Sequence, residues 1–445
     1  MRRVNDNRES ISTEKRPRRR KLAVFKADKV EVRRAVRILL INHYAGSYLH
    51  GMEYRPFYMA REWTRLGHNV MIVAASHSHV RTKMPSLNSS FTEEVIEGVR
   101  YVWLKTPGYE GNGYRRAINI FSFVAQLFRF KNRIIEECKP DIVIASSTHP
   151  LDIFPARSIA RISGAGLVFE VHDLWPLSPI ELGGMSRSHP YIQFVQYAED
   201  YAYRNADRVV SMLPNAEQYM RTRGLSHRKF AYVPNGIDLQ EWQDDVVELP
   251  QPHSCALARL KNEGKFIVGY AGAHGVANSL NTLIEAAEKL RDQPVSVVLV
   301  GKGSEKTTLQ KVCVEKKLNN VLFLDPVSKE VMPALLERTD VLYIGLQSQP
   351  LFRFGISPNK LFDYMIAGKP IIQAIEAPND IVCESGCGLS IPPEDPAALA
   401  DAVLTLSRMS PSERESMGLR GKQYVIQNHD YRILARKFLD AVCSK

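Results

Sequence analysis

At 445 residues the chain exceeds the size at which one hydrophobic core usually keeps growing, so two domains are expected, with room for a ligand between them. Its 44% apolar and 24% charged residues exclude a disordered chain and a disulfide scaffold, and no run approaches the roughly 20 apolar residues that span a bilayer. The formal charge of +11 would suit nucleic acid, yet residues 1–37 hold 14 Lys and Arg against 5 Asp and Glu; the rest is nearly neutral, with no interleaved basic and aromatic code, so no nucleic-acid partner is expected.

The basic tail, 1–35, contains KRPRRRK (Lys15–Lys21) but neither an apolar h-region nor a small-residue cleavage site, so it is not a secretory signal. It reads as a disordered, solvated extension or as an electrostatic contact with anionic lipid heads, at about 1 kcal/mol per basic residue near the surface. Six scattered cysteines without an export signal point to reduced thiols and a cytoplasmic location, with at most peripheral contact at the inner face of the membrane. Cys383 and Cys387 lack a second Cys/His pair, so no zinc site is expected.

From Val36 on, short apolar strands alternate with helical patterns, the signature of parallel sheets built from βαβ units, and the series runs twice. The first half, 36–240, opens with VRILLINHYAG, the amphipathic helix YRPFYMAREWTRL and the strand HNVMIVAAS. Gly67 closes that helix, where a left-handed residue is wanted. The aromatic segment AINIFSFVAQLFRFKNRI, Ala117–Ile134, suits a helix lying on a lipid surface and a helix packed in the core equally well. DIVIASS, a helix around PARSIARISG, LVFEVHD, a polar helix over Tyr191–Ala206, DRVVSML and KFAYVPNGID complete this half.

Residues 241–262, charged and without clear periodicity, read as an interdomain linker. The second half, 263–425, restarts with KFIVGYAGAHG and SLNTLIEAAEKL, and continues through VSVVLVGKGS, a helix from about Glu305, NVLFLDPV, MPALLERTD, VLYIGL and DPAALADAVLTL. Residues 426–445 form an amphipathic C-terminal helix that could pack back on the first domain. Each half starts as strand, Gly-bearing turn and helix, as in doubly wound domains whose ligands lie beyond the carboxyl ends of the strands. The predicted fold class is therefore α/β, two Rossmann-like doubly wound domains facing across a cleft.

In GISPNKLFDYMIAGKPII, Gly355–Ile372, Ser357 is expected to cap a helix with Pro358 at its first position. The amides of Asn359 and Lys360 would then point outward with the positive end of the helix dipole, a site for phosphate, and Lys360 adds a charge. Asp363, four residues past Asn359 on the same face, can accept from the two hydroxyls of a ribose. The structural alternative leaves Ser357 as a cap only, Lys360 solvated and Asp363 paired with a neighbouring base.

Residues Val36–Lys445 resemble the retaining family-4 glycosyltransferases of the GT-B fold, especially bacterial polysaccharide-assembly members. The resemblance is carried by NHYAGSYLHGMEYRPFYMAREWTRLGHNV, EVHDLWPLSPIELGG, YVPNGID, VVLVGKGSEKTTL, NVLFLDPVSKEVMPALL and GISPNKLFDYMIAGKPII. It implies a nucleotide-sugar donor, as substrate rather than cofactor, and a glycan or lipid-linked saccharide acceptor. In the family a pair of glutamates seven residues apart lies in the last motif, and the second binds the donor ribose. Here Asp363 takes the second position and Gly355 the first, so a role assigned to the first acid has no carrier.

By the same resemblance Gly51 and Glu53 approach the reacting sugar and diphosphate from the first domain, and Gly272, His274 and Gly275 from the second. Asp325 and Val327, in LDPV, would hold the base. Ser357, Asn359, Lys360 and Asp363 would hold the rest of the donor. The basic residue that relatives often carry after the Gly-rich turn is replaced by GVANSLNTL, leaving more to Lys360 and His274. His172 would touch the donor sugar at the end of its strand, unless it is merely bonded within a turn; Asp173 would share that role or hold the loop.

Departure of the nucleotide puts negative charge on phosphate, so preorganised positive charge is needed, and the helix end with Lys360 supplies it. No D-x-D sequence occurs, so metal-independent transfer is expected, hexosyl or N-acetylhexosaminyl in type. Two other readings remain: a sugar-nucleotide epimerase, and a non-catalytic nucleotide-sugar-binding partner of an assembly complex.

Overall fold

The computed structural model describes residues 34–111, 113–242 and 247–443; the tail reading falls almost entirely outside them. The first sheet is built from β1 (Arg37–Ile41), β2 (Asn69–Ala75), β3 (Phe91–Ile96), β4 (Val99–Leu104), β5 (Ile142–Ala145), β6 (Gly166–Val171), β7 (Arg208–Ser211) and β8 (Phe230–Tyr232). Its order is β3-β4-β2-β1-β5-β6-β7-β8, parallel except for the β3–β4 pair. Runs such as RILLI and IVIA are apolar at consecutive positions because helices cover both faces of a parallel sheet.

The helix Arg55–Arg65 ends as the sequence predicts. Gly67, at φ 88°, is left-handed, its amide bonds Thr64 O and that of His68 bonds Trp63 O, which satisfies two carbonyls of the last turn. The antiparallel edge hairpin β3–β4 is an addition to the sequence reading. Its turn, Glu97-Gly98, has φ 46° and 81°, the left-handed pair whose twist suits a two-residue hairpin.

The second sheet comprises β9 (Phe266–Ala271), β10 (Val295–Val300), β11 (Val321–Leu324), β12 (Val341–Gly345), β13 (Ile371–Ala374) and β14 (Gly388–Ile391), in the order β11-β10-β9-β12-β13-β14 and parallel throughout. This is the doubly wound order of a dinucleotide-binding sheet, with its reversal between β9 and β12; the first sheet reverses between β1 and β5. The crevices at those reversals are where the loops after β1, β5, β9 and β12 converge.

The chain crosses between the lobes twice, and the crossings lie side by side. Ile237 N–H donates to His429 O at 2.8 Å and Tyr431 N–H to Ile237 O at 3.1 Å. A Cβ on Gly236 would stand 2.3 Å from His429 O, so only glycine permits the approach. The segment read as an irregular linker holds a helix, Gln251–Asn262. Its periodicity is faint because only His253, Leu257 and Leu260 turn inward among polar neighbours. The C-terminal helix Tyr431–Cys443 lies against Arg55–Arg65, with Trp63 Nε1 donating to Ala435 O at 3.0 Å and the Trp63 and Phe438 rings 5.1 Å apart.

Candidate active site

The helix Asn359–Ile366 follows β12 and begins one residue later than its sequence suggests. Pro358, extended at φ −75° and ψ 123°, occupies the cap position. Ser357 does not cap: its hydroxyl accepts from Asn235 N–H and its carbonyl from the Asn235 side-chain amide, both at 2.9 Å. The interlobe crossing has taken the hydroxyl that local sequence assigned to the helix. The amides of Asn359 and Lys360 bond no described residue, while Leu361 N–H turns back to Pro358 O. Two free donors therefore stand at the positive end of the helix dipole.

Lys360 is not solvated. Its Nζ donates to Tyr270 Oη at 2.8 Å and Asn278 Oδ1 at 2.9 Å and lies 4.2 Å from the centre of the Tyr270 ring. No described carboxylate pairs with it, and burial lowers its amine to about 7. The cleft walls displace enough water to make the charge costly without an anion.

The Gly-rich turn after β9 is shaped around this side chain. A Cβ on Gly272 (φ 152°) would stand 2.9 Å from Lys360 Cε, and one on Gly301 (φ 152°) only 1.9 Å from Gly272 O, so the turns after β9 and β10 meet backbone to backbone. Gly275 extends that turn into the short helix Val276–Asn278 that carries Asn278. His274 lies under the turn, wholly buried, and neither ring nitrogen has a partner among the described residues. Burial, then Lys306 and Lys360, lowers its imidazole to about 4. In the free protein the lowered imidazole therefore adds little to the positive charge that the missing basic residue was expected to leave to it.

Asp363, half-buried one turn into the helix, has no hydrogen bond from a described residue and no ion pair. Burial raises its carboxyl to about 6, against the opposing field of Lys329. Asp325 is exposed and pairs with Lys306 at 3.2 Å, and its carbonyl already accepts from His253 Nε2 at 2.8 Å. Val327 packs on the second core. Of this pair, the contacts thus leave one lone pair of the Asp325 carbonyl and the partly buried side chain of Val327.

From the first lobe, His172 at the end of β6 is buried on a built support. Its Nε2 lies 3.0 Å from Ser146 Oγ and 3.4 Å from Glu170, whose carboxylate also accepts from Arg55 Nε at 3.0 Å. Burial opposes ionisation of Glu170, but Arg55, His172 and Ser146 outweigh it and hold the carboxyl far below its usual range. Burial likewise opposes charge on His172, but the hydrogen bond and charge of Glu170, with Glu53, raise the imidazole above its ordinary value.

Glu53 and Asp173 share that environment. Burial raises the carboxyl of Glu53, with His172 opposing and Asp173 reinforcing, and burial also raises that of Asp173. Asp173 follows His172 directly and keeps part of its surface open to water, while its carboxyl lies in the crowded loop beyond β6. Gly51, left-handed at φ 93°, packs its backbone against Thr82 and turns the loop toward Glu53. The two halves meet at Tyr54, which feels Asp363 and has Lys329 4.7 Å from its ring centre.

The arrangement is an open cleft with an unpaired amine and two free amides on one wall, an unpaired carboxyl beside them, and a supported imidazole with two acids opposite. Residues 50–236 match the profile described as Glycosyl transferase 4-like domain, and 265–409 match Glycosyl transferases group 1. The chain is a family-4 glycosyltransferase of the GT-B fold.

Among relatives, WcaI of Escherichia coli K12, named as a colanic acid biosynthesis glycosyl transferase, is 24% identical over 77% of this glycosyltransferase and 85% of the relative. WbjE of Pseudomonas aeruginosa, named as a glycosyltransferase, is 22% identical over 72% and 78%. The fold matches that of Thermosynechococcus elongatus sucrose-phosphate synthase (TM-score 0.67, 16% identity, 90% of this chain and 96% of that one). It also matches Anabaena HepE in complex with UDP and glucose (0.62, 16%, 92% and 100%).

Sequence reading of this glycosyltransferase missed the supports: Arg55, Glu170, Ser146, Asn235, Tyr270 and Asn278. Glu170 had a signal, an acid inside the apolar strand LVFEV, which cannot be buried without a partner. Tyr270 and Asn278 had none, because their use depends on where Lys360 folds.

Proposed function

We propose that this chain is a retaining transferase, moving a hexosyl or N-acetylhexosaminyl group from a nucleotide-diphosphate donor to a polyprenyl-diphosphate-linked saccharide during cell-surface polysaccharide synthesis, at the cytoplasmic face of the membrane and without a metal. The observation that carries the reading is Lys360: a buried amine with no acid partner, beside two unbonded helix-end amides. A diphosphate satisfies all three at once. Asp363, one turn inward, accepts from the ribose hydroxyls, and His172 and Asp173 meet the sugar from the opposite lobe.

In this reading the bond from anomeric carbon to phosphate breaks on the face from which the acceptor oxygen enters. The departing phosphate takes the acceptor proton, so no protein nucleophile is required. Lys360 and the helix end stabilise the charge that develops on that phosphate. The names of WcaI and of the UDP complex of HepE support the class of reaction and of donor.

The test is a thermal-shift screen of the purified protein against a panel of nucleotide sugars. One member, at 100 times its dissociation constant, should stabilise the fold by about 2.7 kcal/mol. Asp363→Asn, which keeps volume and removes the acceptor charge, should weaken that ligand roughly tenfold or more. A panel in which nothing raises the melting temperature removes the proposal.

A further inference from the structure

The aromatic segment Ala117–Ile134 satisfies both of its sequence readings, one on each face of the helix Tyr114–Cys138. Ile120, Phe123, Leu127 and Ile134 are buried in the first lobe. On the opposite face, steps of three, four and seven residues present Tyr114, Ile118, Phe121 and Phe128, each 42 to 72% exposed. The apolar surface continues beyond this helix. Phe121 lies 6.0 Å from Phe194 on the helix Pro190–Asn205, and Phe154, on Ile153–Ser163, stacks between Phe194 and Tyr197 at 6.2 and 6.1 Å. Exposed apolar residues scattered singly need no explanation, but a face continuous over three helices does.

Charge decides what covers it. Residues 114–135 carry five basic side chains, including the exposed Arg115 and Arg129, and no acid, and Ile153–Ser163 carries Arg157 and Arg161 and no acid. Glu136 and Glu137 come only in the last turn of the long helix, and the acids of Pro190–Asn205 are engaged, Asp200 with Arg204 and Arg223 and buried Glu199 with Tyr203 and Tyr219. Aromatic rings among mainly basic side chains fit the boundary of an anionic bilayer, where rings settle at headgroup depth and guanidinium groups meet lipid phosphates. A second copy of this chain would set like charge against like.

We propose that this three-helix face docks the protein on an anionic lipid surface. The helices starting at Tyr114 and Pro190 both begin on the cleft side of the lobe. There Arg116 donates to the Tyr44 hydroxyl and lies 5.6 Å from the centre of the Trp175 ring. A bilayer on this face therefore borders the cleft mouth. Delivery of a lipid-linked acceptor from it rests on the proposed function; the docking does not.

The test is co-sedimentation of the full chain with vesicles of phosphatidylcholine alone and of equal parts phosphatidylcholine and phosphatidylglycerol. Binding to the anionic vesicles alone is expected. The double variant Phe121→Ser, Phe194→Ser should weaken it roughly tenfold or more while leaving the nucleotide-sugar thermal shift unchanged. The single variant Phe194→Trp, which keeps the face apolar, should blue-shift its added emission on anionic vesicles. Undiminished binding by the double variant overturns the assignment and gives the contact to another part of the chain. Failure of the parent to bind, or loss in the double variant only of a concentration-dependent dimer, overturns it as well. Vesicle binding through this face, together with equal transfer to a soluble acceptor, upholds the docking and removes the lipid-linked acceptor.

Discussion

Lys360 is held in a state that a ligand should change. In the free protein its amine sits near 7, against 10.5 for an exposed lysine, because burial penalises the charge and no acid offsets it. Below about pH 7 both folded and unfolded chains carry this proton, and the burial penalty is fully present. Between 7 and 10.5 the folded chain sheds the proton while the unfolded chain keeps it, so this group's contribution to stability rises with pH. A diphosphate restores the charge, and binding above pH 7 should take up a proton, approaching one per ligand. Calorimetry in two buffers of different ionisation enthalpy measures that uptake. Lys360→Met should abolish it, flatten the alkaline stability slope and weaken the diphosphate roughly tenfold or more. Uptake that persists in the variant assigns the proton to another group.

At the scale of elements, what was legible in the sequence was what neighbours in the chain decide. Val- and Ile-rich strands, Gly67 after its helix and the glycines of the β9 turn are local statements, and the structure follows them. What escaped was decided from a distance. Ser357 fails to cap because Asn235, 122 residues earlier, claims its hydroxyl. The imidazole of His274 is lowered because the turns after β9 and β10 close over it, and the linker helix hides because only one narrow face is apolar.

The C-terminal helix shows the same dependence on remote partners. Its capacity to pack back was readable, but its seat was not: Phe438, wholly buried, meets Trp63 from the other end of the chain. Phe438→Ala should cost about 3–5 kcal/mol in denaturant unfolding, while Leu419→Ala, on an exposed helix face, should cost a small fraction of that. Equal costs would mean that the helix is not seated as described.

Across the whole molecule the two walls of the cleft are coupled through the crossing at 233–237. Arg55, which holds Glu170 under His172, also donates to Val233 O and Pro234 O, and Asn235 next to them grips Ser357 before the phosphate-facing helix. The spacing of the two crossings thus sets how the imidazole floor faces the helix end, and Gly236 sets that spacing. A Cβ there meets His429 O at 2.3 Å and Leu434 Cδ1 at 2.5 Å. Gly236→Ala should therefore part the crossings and destabilise the fold by about 1–3 kcal/mol. At temperatures where the variant remains folded by circular dichroism, transfer should still fall on the order of a hundredfold, because reacting groups displaced by about 1 Å lose that much. The second substitution Leu434→Ala separates two causes. It relieves the side-chain contact but leaves the carbonyl of His429 in place, so activity should stay low. Full recovery would trace the defect to crowding around Leu434 and remove the claim that the crossing aligns the cleft.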